Sequence, residues 1–212
     1  MSVLPLAVLG ACWALRAWSP EVSRRAREAI PTSMPLNYLC LLADLAGYWR
    51  HRLEHSKILW PRHEMHHADE DLNATSVFRF HPGNRLTTAL IDACAMGCLG
   101  FPAWAIFGLA LARHYWGMLI HSRLDWTFGA LGAVLVSPSM HRWHHAADTQ
   151  ARGKNFATLF SFIDRAFGTL RAPGRRAEST GVDAGPRGYL DAMSPERFRV
   201  RLARTRSAPL RQ

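Results

Sequence analysis

The sequence holds no glycine-rich dinucleotide fingerprint, so any electrons its chemistry consumes are expected to come from a separate donor. Cysteine is scarce. Cys12, Cys40, Cys94 and Cys98 lie singly within apolar segments, without a paired CxxC motif or the layout of a small disulfide scaffold, and are expected to be buried thiols. Zinc-finger, helix-turn-helix and RNA-binding aromatic motifs are absent too, so nucleic acid is not an expected partner despite a formal net charge of +10. The positive charge gathers at Arg24, Arg25 and Arg27 and at Arg197, Arg199, Arg201, Arg204 and Arg206. In an apolar chain that placement suits anionic headgroups on the cytoplasmic side of a bilayer.

Uninterrupted hydrophobic length is also in short supply. Of four apolar stretches, 2–15, 36–49, 86–120 and 126–136, only the third is long enough for a simple bilayer span of about twenty residues. Gly100-Phe101-Pro102 interrupts it, which predicts a helical hairpin. Short, tilted or re-entrant membrane segments are therefore expected. Residues 1–18 are apolar without a positive n-region or a small-residue cleavage site, a pattern that predicts an anchor helix rather than a signal peptide. At 212 residues one main domain is expected: an anchor and basic linker over 1–35, a catalytic domain over 36–170, and an Arg-rich tail over 171–212.

What the chain has in quantity is histidine. Nine of its eleven fall into four sets: His51/His55, His63/His66/His67, His121 alone, and His141/His144/His145. Within each multiple set the spacing is i, i+3 or i+4, which on a helix aims the imidazoles from one face toward a common point. Adjacent residues such as His66-His67 and His144-His145 diverge by roughly a third of a turn, so neighbours can serve different ions. One ion takes four to six ligands, and nine histidines are about right for two. Imidazole suits iron, zinc, copper or nickel, and a redox metal is favoured. The isolated His81 and His114 carry no such signal.

Local signals place these residues on helices. His51 and His55 continue the helix that starts near Leu36, with Asp44 and Tyr48 on the same face; Asp44 is expected to accept the far ring N–H of a liganding histidine. Pro61 and Pro138 are suited to the first turns of new helices carrying the two His-x-x-His-His runs. The expected fold is all-α: an integral membrane helical bundle capped on the cytosolic side by a histidine-rich dimetal site.

Taken together, the motifs resemble those of the sterol desaturase and fatty acid hydroxylase superfamily. The likeness runs through Asp44-x-x-x-Tyr48-x-x-His51-Arg52-x-x-His55, Leu59-Trp60-x-x-His63-x-x-His66-His67, Asn73-x-Thr75-x-x-x-Arg79-x-His81-Pro82, His121-Ser122, Pro138-x-x-His141-x-x-His144-His145, Asn155, and Asp164-Arg165-x-Phe167-Gly168-Thr169. It implies a non-haem diiron centre held by His51, His55, His63, His66, His67, His121, His141, His144 and His145 on a multi-pass membrane protein. It further implies hydroxylation or desaturation of an aliphatic C–H of a lipid, with O₂ and a ferredoxin or reductase as electron donor. The chain departs from the usual pattern at Gly83-Asn84-Arg85, where relatives carry an acidic residue soon after His-Pro, at Arg123, and at Phe156-Ala157. Zinc can displace iron in a preparation, because it outcompetes ferrous iron at many nitrogen sites.

Two other readings use parts of the same sequence. His63-Glu64-Met65-His66-His67 contains His-Glu-x-x-His, the pattern of a zinc metalloprotease with Glu64 as base. It leaves the remaining clusters idle. Metal transport or storage would instead put ligands along a path inside the bilayer, whereas here most histidines flank the apolar stretches.

Overall fold

The computed structural model describes residues 36–99, 101–175 and 177–182, together with Glu21 and Arg24. Most of the expected anchor and basic linker, and residues 183–212 of the expected tail, lie outside the described residues. Among the described residues from 36 onward, six α-helices carry the architecture: α1 Leu36–Glu54, α2 Trp60–His67, α3 Pro82–Cys98, α4 Ala103–His121, α5 Pro138–His144 and α6 Ser161–Ala166. Short 3₁₀ turns occupy Ala74–Phe78, Gly129–Ala133 and Thr149–Ala151. Among the described residues there are no strands, only isolated bridges between Leu135 and Phe160 and between Ala146 and Thr180.

The helix boundaries follow the sequence signals. Pro61 and Pro138 lie in the first turns of α2 and α5, where a missing N–H costs no hydrogen bond. Ser137 caps α5 by accepting from the Met140 amide, and the His81 ring nitrogen caps α3 by accepting from the Gly83 amide. The expected break falls between Cys98, where α3 ends, and Ala103, where α4 begins. The apolar stretch 126–136, by contrast, forms a loop and a 3₁₀ turn rather than an α-helix.

Helices α1, α3 and α4 enclose a first core of Ala43, Ala89, Ala93, Met96, Phe101, Ile106 and Leu109. The three alanines let the helices approach closely. A second core, with Tyr48, Ile120, Val136, Met140, Phe156 and Ile163, joins the metal-bearing end of α1 to α5, α6 and the 154–160 segment. Tyr48 is fully buried, and its hydroxyl pairs with Thr169 Oγ1 at 3.0 Å, so its large side chain carries no unsatisfied polar atom.

The cysteines correct the expectation of buried thiols. Cys94 and Cys98 are exposed and Cys40 is half-buried, while Cys12 lies outside the described residues. Cys94 and Cys98 continue the i, i+4 row of Leu86 and Leu90, an outer face of α3, whereas Ala89, Ala93 and Met96 form its inner face. Apolar surroundings in sequence told nothing about which side of the helix a residue takes. No helix among the described residues is long and apolar enough to cross a membrane.

Two helices are stitched together by a charge. Arg113 on α4 donates to the Ala43 carbonyl at 2.8 Å and to Thr158 Oγ1 at 3.2 Å, and lies 3.7 Å from the buried Asp44 carboxylate. It crosses α1 at Gly47, where a Cβ would overlap the guanidinium. Gly47→Ala should therefore destabilise the fold by roughly 1–3 kcal/mol, the usual range for overpacking. In an Arg113→Ala background the same change should be neutral or stabilising, because alanine is the better helix former by about 1 kcal/mol. Denaturation of the four-member mutant cycle measures this, and equal effects in both backgrounds would contradict the steric account.

Candidate metal centre

All nine clustered histidines meet at one end of the helical layer. His51 lies in the last turn of α1 and His55 just beyond it; α2 supplies His63, His66 and His67; His121 ends α4; and α5 with its following residue supplies His141, His144 and His145. They sort into two sets. His51, His55, His63, His67 and His144 form one, and His66, His121, His141 and His145 the other, with one ring nitrogen of each member within 4.8 Å of the others in its set. His55 is half-buried and the remaining eight are buried. The adjacent pairs divide as the helical geometry predicts: His66 and His145 serve one set, His67 and His144 the other.

Hydrogen bonds fix which nitrogen faces inward. The Nδ1 atoms of His51, His121 and His144 donate to the carbonyls of Phe156 at 2.8 Å, Gly117 at 2.6 Å and Lys154 at 2.6 Å. A carbonyl only accepts, so each of these rings keeps its proton on Nδ1 and turns a bare Nε2 lone pair to the cluster. His63 is set through a longer chain. Asn84 Nδ2 donates to Glu54 Oε1 at 2.7 Å, which orients the amide so that its Oδ1 accepts from His63 Nδ1 at 2.9 Å.

The inward nitrogens then crowd one another. Nε2 of His121 lies 3.1 Å from Nε2 of His66 and 3.1 Å from Nε2 of His141, and the Nε2 atoms of His63 and His67 are 3.2 Å apart. Other ring nitrogens, His55 Nε2, His144 Nε2 and both of His145, are buried without any hydrogen-bond partner. Without a cation between them such nitrogens either share one proton in an N–H···N contact or repel, and the single lone pair of His121 Nε2 faces two neighbours; ligands about 2.0–2.1 Å from one ion are spaced up to roughly 4 Å apart. The donor sets therefore fit two imidazole-ligated metal ions.

Burial sets the protonation state. His144 is pushed down to about 3, chiefly by desolvation and against the pull of its hydrogen bond to Lys154. Desolvation first, then neighbouring imidazoles, holds His66, His67 and His145 well below the ordinary histidine range. All are neutral at physiological pH, the form that binds metal.

The carbonyls that orient His51 and His144 belong to the 154–160 segment, which two buried carboxylates hold in place. Asp164 accepts from the Phe156 and Ala157 amides at 2.8 and 2.9 Å and from Thr169 Oγ1 at 2.7 Å. Asp44 accepts from the amides of Thr158, Leu159 and Phe160 at 2.8–3.1 Å. The expectation that Asp44 contacts a histidine is thus corrected: its acceptor positions are taken by backbone amides, and it acts on His51 through the segment. Asn155 adopts φ 56°, donates to the Met140 and Arg171 carbonyls, and accepts from the Arg171 amide. Its side chain ties this segment to α5.

His81 and His114 join neither set. His81 serves as the α3 cap, and His114 lies half-buried against Phe78. Residues that single-motif reading missed are Glu54, Asn84, Arg50, Asp92 and Arg113. Asn84 could have been sought at the departure after His-Pro, and Asp92 and Arg113 as charges inside an otherwise apolar stretch.

A helical scaffold ending in two all-imidazole donor sets defines a class, proteins built to hold metal through clustered histidines. Within it, the fatty acid hydroxylase family model matches residues 36–169, and the chain belongs to that family. It is 27% identical over 136 residues to ornithine lipid hydroxylase OlsE of Rhizobium tropici, an alignment covering 64% of this chain and 41% of the relative. Alkylglycerol monooxygenase of Homo sapiens is 29% identical over 131 residues, covering 61% of this chain and 29% of the relative. The Danio rerio alkylglycerol monooxygenase is 30% identical over 129 residues, 60% of this chain and 28% of the relative. The chain spans less than half the length of these relatives, whose names are those of oxidoreductases. No solved structure matches it.

Two measurements bear on this geometry. Asn84→Ala should weaken metal binding about 10–100-fold, the usual effect of losing the group behind a ligand histidine, as read by competition with a chelator; unchanged affinity would remove Asn84 from that role. In the metal-free protein, buried imidazoles refuse protons that the unfolded chain accepts near pH 6.5. Stability should be full above that pH and fall below it, by up to roughly 1.4 kcal/mol per pH unit for each such histidine. Denaturation midpoints that stay flat between about pH 7.5 and 5.5 would contradict the burial argument.

Proposed function

We propose that this chain is the catalytic unit of a membrane-associated, non-haem diiron oxygenase that hydroxylates an aliphatic C–H of a lipid, using O₂ and electrons from a separate ferredoxin or reductase. One observation carries the reading. A cavity of about 170 Å³ between α1, α3 and α4 is walled at one end by His51, His63, His66, His121 and His141, members of both ligand sets, and elsewhere mainly by apolar side chains. A C–H bond held there faces both metals. Family membership and the names of the relatives support lipid hydroxylation over desaturation.

When bound, two iron ions supply the redox activation of O₂. The chain's own residues do the rest. His51, His63, His121 and His144 keep their Nδ1 protons on fixed acceptors, so no ring has to reorganise as ligand charge changes. Ala43, Ala89, Ala93, Met96 and Leu109 line the approach and keep water from the reacting carbon.

The outer faces of α3 and α4 support membrane seating. Leu86, Leu90 and Cys98 on α3, with Trp104, Phe107, Leu111 and Tyr115 on α4, form exposed apolar rows, Trp104 being 75% exposed. Contiguous rows of that kind mark contact with a bilayer or a partner. A bilayer fits the basic clusters of the sequence, and it leaves the histidine end at the cytoplasmic surface. The metalloprotease reading loses ground, because His63 and His67 share their set with three further histidines, more than a catalytic zinc with its open water position takes.

Comparative lipid mass spectrometry of cells with and without the chain tests this reading. The expected product is heavier by one oxygen, is lost with His144→Ala and is retained with Glu64→Gln. A product lighter by two hydrogens would mean desaturation, and a product that survives His144→Ala would overturn the assigned metal role.

A further inference from the structure

A charged band crosses the cavity between its apolar end and its histidine end. On α4, Ile106 lies about 22 Å below His121 and Arg113 about 12 Å below it, taking 1.5 Å of rise per residue. Arg113 shares its level with Asp92 of α3, and Arg50 of α1 stands beside the ligand His51. Charges within otherwise apolar helices are costly and mark function more often than stability.

The hydrogen bonds separate the structural members of this band from the available ones. Arg113 is held on Ala43, Thr158 and Asp44, as described above. Arg50 donates Nε to Asp92 Oδ1 at 2.8 Å and Nη1 to Glu54 Oε2 at 2.8 Å, leaving Nη2 for a ligand. Asp92 accepts from Arg50 through Oδ1 alone, and its Oδ2 is 3.8 Å from Arg113, beyond hydrogen-bond distance. The Asp92 side chain is also the most accessible of the band, at 29%. The cavity wall thus offers one strong donor and one strong acceptor side by side.

The volume limits what enters. A cavity near 150 Å³ holds a benzene-sized molecule, so 170 Å³ admits a short stretch of a lipid and leaves its long chains outside. A purely hydrocarbon stretch there would leave Arg50 Nη2 without a hydrogen-bond partner and Asp92 Oδ2 with only its longer ion pair to Arg113.

We propose that Arg50 and Asp92 form a substrate grip for a lipid group that both accepts and donates a hydrogen bond, a secondary amide or a free hydroxyl. Arg50 Nη2 donates to its oxygen, and Asp92 Oδ2 accepts from its N–H or O–H. The carbon presented to the metals then lies within roughly the 12 Å between the Arg113 level and His121 from that polar group, at a distance along the chain that the grip fixes. This deepens the oxygenase reading and rests on it. Sites built to pair a polar group reject analogues that lack it far more strongly than apolar pockets reject a missing methylene.

The test uses the full chain loaded with zinc, in nanodiscs, and reads equilibrium binding of matched lipids. One pair is an N-acyl amide and its O-acyl ester, which lacks the donor; the other is a lipid alcohol and its methyl ether. The protein should bind the amide or the alcohol at least tenfold more tightly than its partner, and which pair shows the preference identifies the group. Asp92→Leu should reduce that preference to within twofold, while Asp92→Asn, which keeps the shape and one acceptor oxygen, should retain part of it. Unchanged metal content in both variants shows that the fold is intact. Equal binding within both pairs by the parent chain, or a preference that survives Asp92→Leu, overturns the grip. Iron-loaded protein that oxidises amide and ester lipids alike leaves the oxygenase reading standing without the grip. Protein that shows the binding preference yet oxidises no lipid, given O₂ and reductant, overturns the oxygenase reading alone.

Discussion

Neutral imidazole nitrogens brought within about 3 Å of each other are the constraint on which the rest of the structure depends. Such an arrangement has little intrinsic stability, since each ring has given up water and faces another ring nitrogen. The surrounding fold supplies what holds it. Acceptors behind the rings, the carbonyls of Phe156, Gly117 and Lys154 and the Asn84 amide, fix both proton position and ring orientation. The acceptors are anchored in turn: Asp164 and Asp44 bind successive amides of the 154–160 segment, and Glu54 orients Asn84. Asp44 and Asp164 therefore act on the rings through neutral peptide groups, while Glu54 acts through Asn84 and also lies 3.5 Å from His63 Nδ1.

The same economy of charge explains the helical layer. Alanines bring α1 and α3 together, and Gly47 makes room for the Arg113 guanidinium to cross α1 and reach Ala43 and Asp44. Asp44 thus receives a cation from one side and three amides from the other, which offset part of the cost of its complete burial, although burial still holds its carboxyl above the usual carboxylate range. One carboxylate couples the cavity wall to the segment that orients His51.

Much of this was legible in the sequence because it depends on local geometry. The i, i+3 and i+4 spacing of histidines, the prolines at 61 and 138, and the break at 100–102 each report on one helix at a time, and the structure has those helices. The division of His66 from His67 and of His144 from His145 between two sets follows from the angle between successive residues on a helix. What depended on contacts distant in sequence was not legible. The face of α3 taken by Cys94 and Cys98, the partners of Asp44 more than a hundred residues away, and the loop at 126–136 are decided by packing between elements. Asn84 lies between these cases: its departure from the family pattern was visible, but its link to Glu54 needed the fold.

Helix α5 has seven residues, all of them buried, and its last residue together with the next one reaches into both ligand sets. α2 ends on the same kind of bridge at His66-His67. Two single peptide units therefore join one ligand set directly to the other. A displacement of either helix end shifts donors of both sets at once, so neither set can be reshaped alone.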